Sequence, residues 1–171
     1  MATASPYLFA VFYGVLWFAF PRRDADTRRA LVVSVGAAAL SVAIAAVIGF
    51  LWYVPRPFVV LGARDHLLIR HPADSSFQSD HASLAFALAA TLMRRRQWVG
   101  WVMLVAAAAV AVARVWVGVH WPTDVVGGAL LGLAAGVLVW SVRGPLVQLA
   151  DWWMGVFGMG PRAGRTAPQR S

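Results

Sequence analysis

Arg114, His120 and Asp124 stand in the short run Arg-Val-Trp-Val-Gly-Val-His-Trp-Pro-Thr-Asp, inside an otherwise apolar chain. Ionisable groups at a membrane boundary are costly, and they mark functional sites by default. The arginine suits an anion clamp and the histidine a nucleophile or base. The aspartate, four residues further on, can reach one imidazole nitrogen and fix its tautomer, leaving the other nitrogen to act. Such a trio points to hydrolytic chemistry at the lip of a bilayer. Taken alone, it also suits a histidine–aspartate cap at a helix start.

Two further clusters carry polar chemistry. The first is Val54-Pro55-Arg56-Pro57-Phe58, where flanking prolines stiffen the backbone that carries a guanidinium, as a phosphate fork requires. A lone arginine at a span end equally suits an interface residue whose stem is buried and whose head reaches water. The second runs from Asp74 to Ser83, Asp-Ser-Ser-Phe-Gln-Ser-Asp-His-Ala-Ser. Ser79 or Asp80 fits an N-cap there, and a helix N-terminus with free N–H groups is a ready anion site. Ordinary capping explains the serine and the aspartate. It does not explain His81 in the first turn, where the helix dipole disfavours a charged imidazole unless a bound anion reverses that preference.

The elements that position these clusters follow from composition. The 171 residues are 60% hydrophobic and 13% charged, with a mean hydropathy of +0.68, which fits an all-α, polytopic membrane bundle. No cysteine, lysine or glutamate is present, so thiolate sites, Schiff-base lysines and glutamate bases are excluded, and acid–base work falls to four histidines and seven aspartates. Apolar runs predict about five spans, near 6–20, 30–54, 81–93, 98–113 and 122–142. The first is read as a retained span rather than a signal peptide, because it leads into Pro21-Arg22-Arg23 and not a small-residue cleavage site. Residues 145–159 read as an interfacial helix with tryptophans at headgroup level, and 160–171 as a basic disordered tail; residues 1–159 form a single domain. Gly128, Gly132 and Gly136 read as a close-packing seam.

Charge sets the orientation. The net charge of +8 is not gathered on an aromatic-interleaved surface, which argues against nucleic acid. Eleven of fifteen arginines fall after the first, third and fifth spans, the side that the positive-inside rule makes cytoplasmic. All four histidines, with Arg56, Arg64, Arg70, Arg114, Asp65, Asp74, Asp80 and Asp124, fall on the other side. The candidate site is therefore expected at the extracytoplasmic interface.

In this order and on these span ends, the three clusters resemble the signature motifs of the type-2 phosphatidic acid phosphatase superfamily, integral-membrane lipid phosphatases related to vanadium haloperoxidases. The serine–aspartate–histidine core of Ser79-Asp80-His81 most resembles the bacterial undecaprenyl-diphosphate phosphatase branch. The resemblance covers roughly residues 50–130. It implies that His120 is the nucleophile, that Asp124 orients it and that His81 protonates the leaving group. It further implies that Arg56, Arg114 and Ser79, with backbone N–H groups near Asp80, hold the phosphoryl oxygens, and that neither a metal nor another cofactor takes part. The implied partners are a polyprenyl diphosphate and membrane lipids in the bacterial cell membrane, and the implied role is recycling of the cell-wall lipid carrier with tolerance to bacitracin. Two positions depart from the pattern. Gly49 stands where a lysine often precedes the arginine by seven residues, so Arg64, Arg70 or His71 is a candidate replacement. Gln78 stands where the branch usually has proline. Relatives also tend to carry a further segment before the first span, so Met1 is read as a shortened start.

Two alternatives remain. One keeps the chemistry and changes the lipid to phosphatidic acid or phosphatidylglycerol phosphate. The other is a haem- or metal-binding bundle using His66, His71, His81 and His120.

Overall fold

The computed structural model describes residues 11, 13–15, 17–18, 24–62 and 72–157, and among these every regular element is helical. Six helices follow in order: α1 (Ala25–Leu51), α2 (Pro57–Val60), α3 (Asp80–Met93), α4 (Gln97–Trp116), α5 (Pro122–Ser141) and α6 (Gly144–Val156). The described residues between 11 and 18 are helical as well. The expected basic tail, most of the first span, and Arg64, His66, Arg70 and His71 lie outside the described residues.

Three helices, α1, α4 and α5, are long and apolar enough to cross a membrane. The fold is a helical membrane bundle, but the third expected span is shorter than the others. Its helix α3 has 14 residues, about 21 Å at 1.5 Å per residue, against a hydrocarbon core of about 30 Å. It is tolerated because it occupies the centre, packed against α1, α4 and α5, so its flanks meet protein rather than lipid.

Packing follows the small residues. Lipid tails are as apolar as leucine, so bundle helices associate through close contact rather than hydrophobic burial. Ala30, Val33, Ala37 and Ala38 of α1 meet Ala87, Leu88, Ala89 and Leu92 of α3 in one core. The glycine seam behaves as the sequence predicts: a Cβ on Gly128 would stand 2.6 Å from the Ser79 carbonyl oxygen, and one on Gly136 would stand 2.8 Å from the Ala90 Cβ. Phe50, Trp52, Trp101 and Trp116 remain on the outside, where a bilayer accounts for exposure that water would not.

The first long helix begins at Ala25, five residues before the expected start. Asp24 caps it, accepting from the Thr27 N–H at 3.1 Å and from the Thr27 hydroxyl at 2.8 Å. Arg28 and Arg29 are thereby helical residues, not a connecting loop. Arg29 grips Asp151 of α6 in a two-point pair, at 2.7 and 3.1 Å, and Arg96 reaches back to Asp24. At its other end α1 stops at Leu51 rather than near residue 54, because Pro55 and Pro57 favour extended backbone around Arg56 (φ −70°, ψ 152°).

Candidate active site

Four helix ends meet at the pole opposite Asp24, Arg29 and Asp151: α1 and α4 finish there, and α3 and α5 begin there. Two helix N-termini thus present their positive dipole ends to one region, which favours an anion. A cavity of about 380 Å³ opens at this pole, lined by Arg56, Asp80, His81, Arg114 and His120 among others.

His120 sits in the connection between α4 and α5, buried. Its Nδ1 lies 2.9 Å from the carbonyl oxygen of Ser76. A carbonyl only accepts, so Nδ1 carries the hydrogen and Nε2 of the neutral ring holds a lone pair. Arg56 Nη1 and Arg114 Nη2 each stand 3.4 Å from that Nε2. Burial pushes the imidazole pKa below its ordinary 6.5; Asp124 pulls it up, and the two guanidiniums push it down further, leaving it lowered. The result is an imidazole that favours its neutral form, with Nε2 between two fixed cations.

Asp124, in the first turn of α5, does not make the hydrogen bond to His120 that its spacing suggests. Its Oδ2 stands 3.6 Å from Nδ1. The carboxylate instead accepts from the Trp121 N–H at 2.7 Å and, in a very short bond, from the Ser76 hydroxyl. It therefore clamps the backbone on either side of the imidazole: Trp121, which follows His120, and Ser76, whose carbonyl holds the ring.

Arg56 is placed by its neighbours. The extended segment before it is held by the residues leading to α3 and to α5: the Ser76 N–H donates to Val54 O at 2.7 Å and the Trp121 indole N–H to Pro55 O at 3.0 Å. Its guanidinium donates to Asp74 (2.8 Å), to the Val119 carbonyl (2.8 Å) and to the Ser75 carbonyl (3.0 Å). A buried arginine fixed at three points has one edge left to face the cavity. Arg114, 2% exposed, comes from the last turn of α4.

The structure brings His120, His81, Arg56, Arg114 and Asp80 to one cavity. Ser79 takes the N-cap position of α3 without a side-chain capping bond. It is buried beneath the site, its N–H donating to the Asp124 carbonyl at 3.2 Å, and it is not among the cavity-lining residues. Gly49 does line the cavity. Sequence reasoning missed Ser76 and the carbonyls of Ser75 and Val119, since a backbone carbonyl has no residue-type signature. It also missed Asp74, whose proximity to the serine–aspartate–histidine run was the one available hint.

Histidines, arginines and two helix N-termini around one cavity suit an anionic group such as a phosphate. Residues 30–147 match the family model described as the PAP2 superfamily, and the chain belongs to that superfamily. It is 34% identical over 145 residues to YbjG of Escherichia coli (strain K12), covering 80% of this chain and 72% of that one. It is also similar to the undecaprenyl-diphosphatase BcrC of Bacillus subtilis (strain 168), at 35% over 104 residues, covering 61% and 53%. A third relative is the bacitracin transport permease protein BcrC of Bacillus licheniformis, at 34% over 133 residues, covering 78% and 64%. The chain thus spans between about half and about seven-tenths of the length of these relatives. No solved structure matches it.

Proposed function

We propose that the chain hydrolyses undecaprenyl diphosphate to undecaprenyl phosphate and orthophosphate through a phosphohistidine. The observation that carries this reading is the Nε2 of His120, flanked at 3.4 Å by Arg56 and by Arg114. The names of the relatives direct it to a diphosphate lipid. His120 Nε2 attacks the terminal phosphorus and forms a P–N bond while the bond to the bridging oxygen breaks. Arg56 and Arg114 meet the equatorial oxygens, where charge develops in the transition state. His81, in the first turn of α3, gives a proton to the departing lipid phosphate. It then takes one from the water that attacks phosphorus, breaking the P–N bond and returning His120 to its neutral form.

The site opens to the outer side of the bacterial cell membrane. Arg28, Arg29, Arg94, Arg95, Arg96 and Arg143 gather at the opposite pole, which the positive-inside rule assigns to the cytoplasm. The cellular role is recycling of the lipid carrier for peptidoglycan export, and raised activity confers tolerance to bacitracin.

The test is phosphate release from undecaprenyl diphosphate in proteoliposomes, run beside phosphatidic acid and phosphatidylglycerol phosphate. Wild type turns over the diphosphate best and, rapidly quenched, carries acid-labile phosphate on a histidine. His120→Ala abolishes both signals. Wild-type turnover by that variant removes the nucleophile assignment, and preference for a monophosphate ester moves the substrate to another lipid.

A further inference from the structure

Gln78 lines the cavity beside His81 and His120, yet no step above uses it. It is 7% exposed, and its Nε2 is fully buried with no hydrogen-bond partner among the described residues. Gly127 of α5 leaves room for the neighbouring Phe77, whose ring a Cβ there would meet at 3.0 Å. A buried amide donor that the fold leaves unsatisfied weakens the protein unless a ligand takes the bond.

The ligand follows from which donors the wall offers. Arg56 and Arg114 flank the nucleophile and serve the transferred phosphoryl group. In-line displacement puts the leaving oxygen on the far side of phosphorus from His120. In a diphosphate that leaving group is a second phosphate with non-bridging oxygens that need donors. Asp74 and Asp80 also line the cavity but, as carboxylates, they accept only. The Ser75 hydroxyl is already committed to the Trp52 and Phe77 carbonyls, at 3.1 and 3.3 Å. Besides the N–H groups at the start of α3, the side-chain donors left among the lining residues are His81 and the carboxamide of Gln78.

We infer that Gln78 binds the lipid-bearing phosphate of a diphosphate substrate and so strengthens preference for diphosphates over monophosphate esters, beyond what the proline usual at this position in the branch would allow. This rests on the phosphatase reading above and adds a specificity residue to it. A monophosphate ester leaves through a carbon-bound oxygen that needs only the proton from His81. It gains nothing from the amide. A site that hydrogen-bonds a substrate group discriminates against the analogue lacking that group, because its own donor is then left unpaired.

The experiment compares wild type, Gln78→Met and Gln78→Glu on undecaprenyl diphosphate and on phosphatidic acid, with competitive inhibition by inorganic diphosphate and by orthophosphate. Gln78→Met should lose about ten- to a hundredfold in kcat/KM on the diphosphate, the worth of a hydrogen bond to a charged group. Its rate on phosphatidic acid and its inhibition by orthophosphate should stay within about threefold, which also reports a folded site. Gln78→Glu should lose more on the diphosphate, and both variants should bind inorganic diphosphate more weakly. Equal losses on the two lipids, or an unchanged diphosphate rate, overturn the assignment. A wild type that prefers the monophosphate overturns the substrate reading itself. Inhibition by inorganic diphosphate still judges Gln78 in that case, and an unchanged inhibition constant in both variants removes it.

Discussion

The carbonyl oxygen of Ser76 and the Nδ1 of His120 are hydrogen-bonded at 2.9 Å, and that bond, rather than a carboxylate, fixes the tautomer of the proposed nucleophile. Asp124 acts one step back, holding the Ser76 hydroxyl and the Trp121 N–H. The imidazole is therefore oriented by backbone that a buried carboxylate keeps in place.

Removing the carboxylate should cost more than removing the hydroxyl. Both donors converge on the one oxygen Oδ2, so Asp124→Asn keeps the volume but offers them an uncharged amide oxygen at best and an NH2 group at worst. A misplacement near 1 Å costs about a hundredfold in rate, and kcat should fall by about that factor with little change in KM. Ser76→Ala keeps the carbonyl and should lose only about tenfold. Steady-state kinetics on both variants decide the order, and a Ser76→Ala loss equal to that of Asp124→Asn would restore the direct aspartate–histidine pair.

Activity should persist below pH 6.5. The nucleophile must be neutral, and its pKa is lowered from 6.5, first by burial and then by the nearby guanidiniums. Protonation, and with it loss of kcat/KM, is thus displaced to lower pH. The acid limb of the pH–rate profile measures it, and the ¹⁵N shift of His120 in labelled protein should titrate with the same midpoint. A limb above pH 6.5 sinks the assignment.

Arg56→Lys should not be conservative. The guanidinium spends three directions on Asp74, Ser75 and Val119 and still faces His120. An ammonium on a flexible stem cannot hold that fork. Loss of one preorganised donor to developing charge costs about 10²–10³ in kcat. Asp74, left with a weaker partner, should make the 72–79 segment more open to proteolysis. Rates and limited digestion read the two effects separately.

Gly128→Ala should damage the site from outside it. The new methyl would meet the Ser79 carbonyl at 2.6 Å and the Ser83 nitrogen at 3.2 Å, both backbone atoms, so α3 must retreat from α5. That movement breaks the Ser79 N–H bond to the Asp124 carbonyl, now 3.2 Å. Overpacking of this kind costs about 1–3 kcal/mol, and both Tm in detergent and turnover should fall. Gly155→Ala, with no heavy atom within 4 Å, is the matched control and should behave as wild type.

Much of this was legible in the chain because it is carried by residue type. The spacing of Arg114, His120 and Asp124 pointed to the candidate site, the alternation of arginine clusters to the two poles, and Gly128, Gly132 and Gly136 to the seam. What escaped depends on atoms that every residue shares. The carbonyls of Ser75, Ser76 and Val119 hold both the nucleophile and its clamp, and only the folded backbone brings them there. The start of α1 escaped for a different reason. Arg28 and Arg29 look like a polar connection until Asp24 is seen to cap the helix and Asp26 and Asp151 to neutralise Arg29 within it. The short α3 likewise reads as an inadequate span until its three neighbours enclose it.

The 380 Å³ cavity is sized for a headgroup, at the lower end of the volumes that enclose small ligands. On the proposed reading, a long isoprenoid tail stays in the bilayer while the phosphates react, and the protein does not lift its substrate out of solution in lipid. Turnover then depends on the mole fraction of substrate in the membrane rather than on its bulk concentration. Diluting the carrier with inert phospholipid should slow the reaction even when the total amount per volume is held constant.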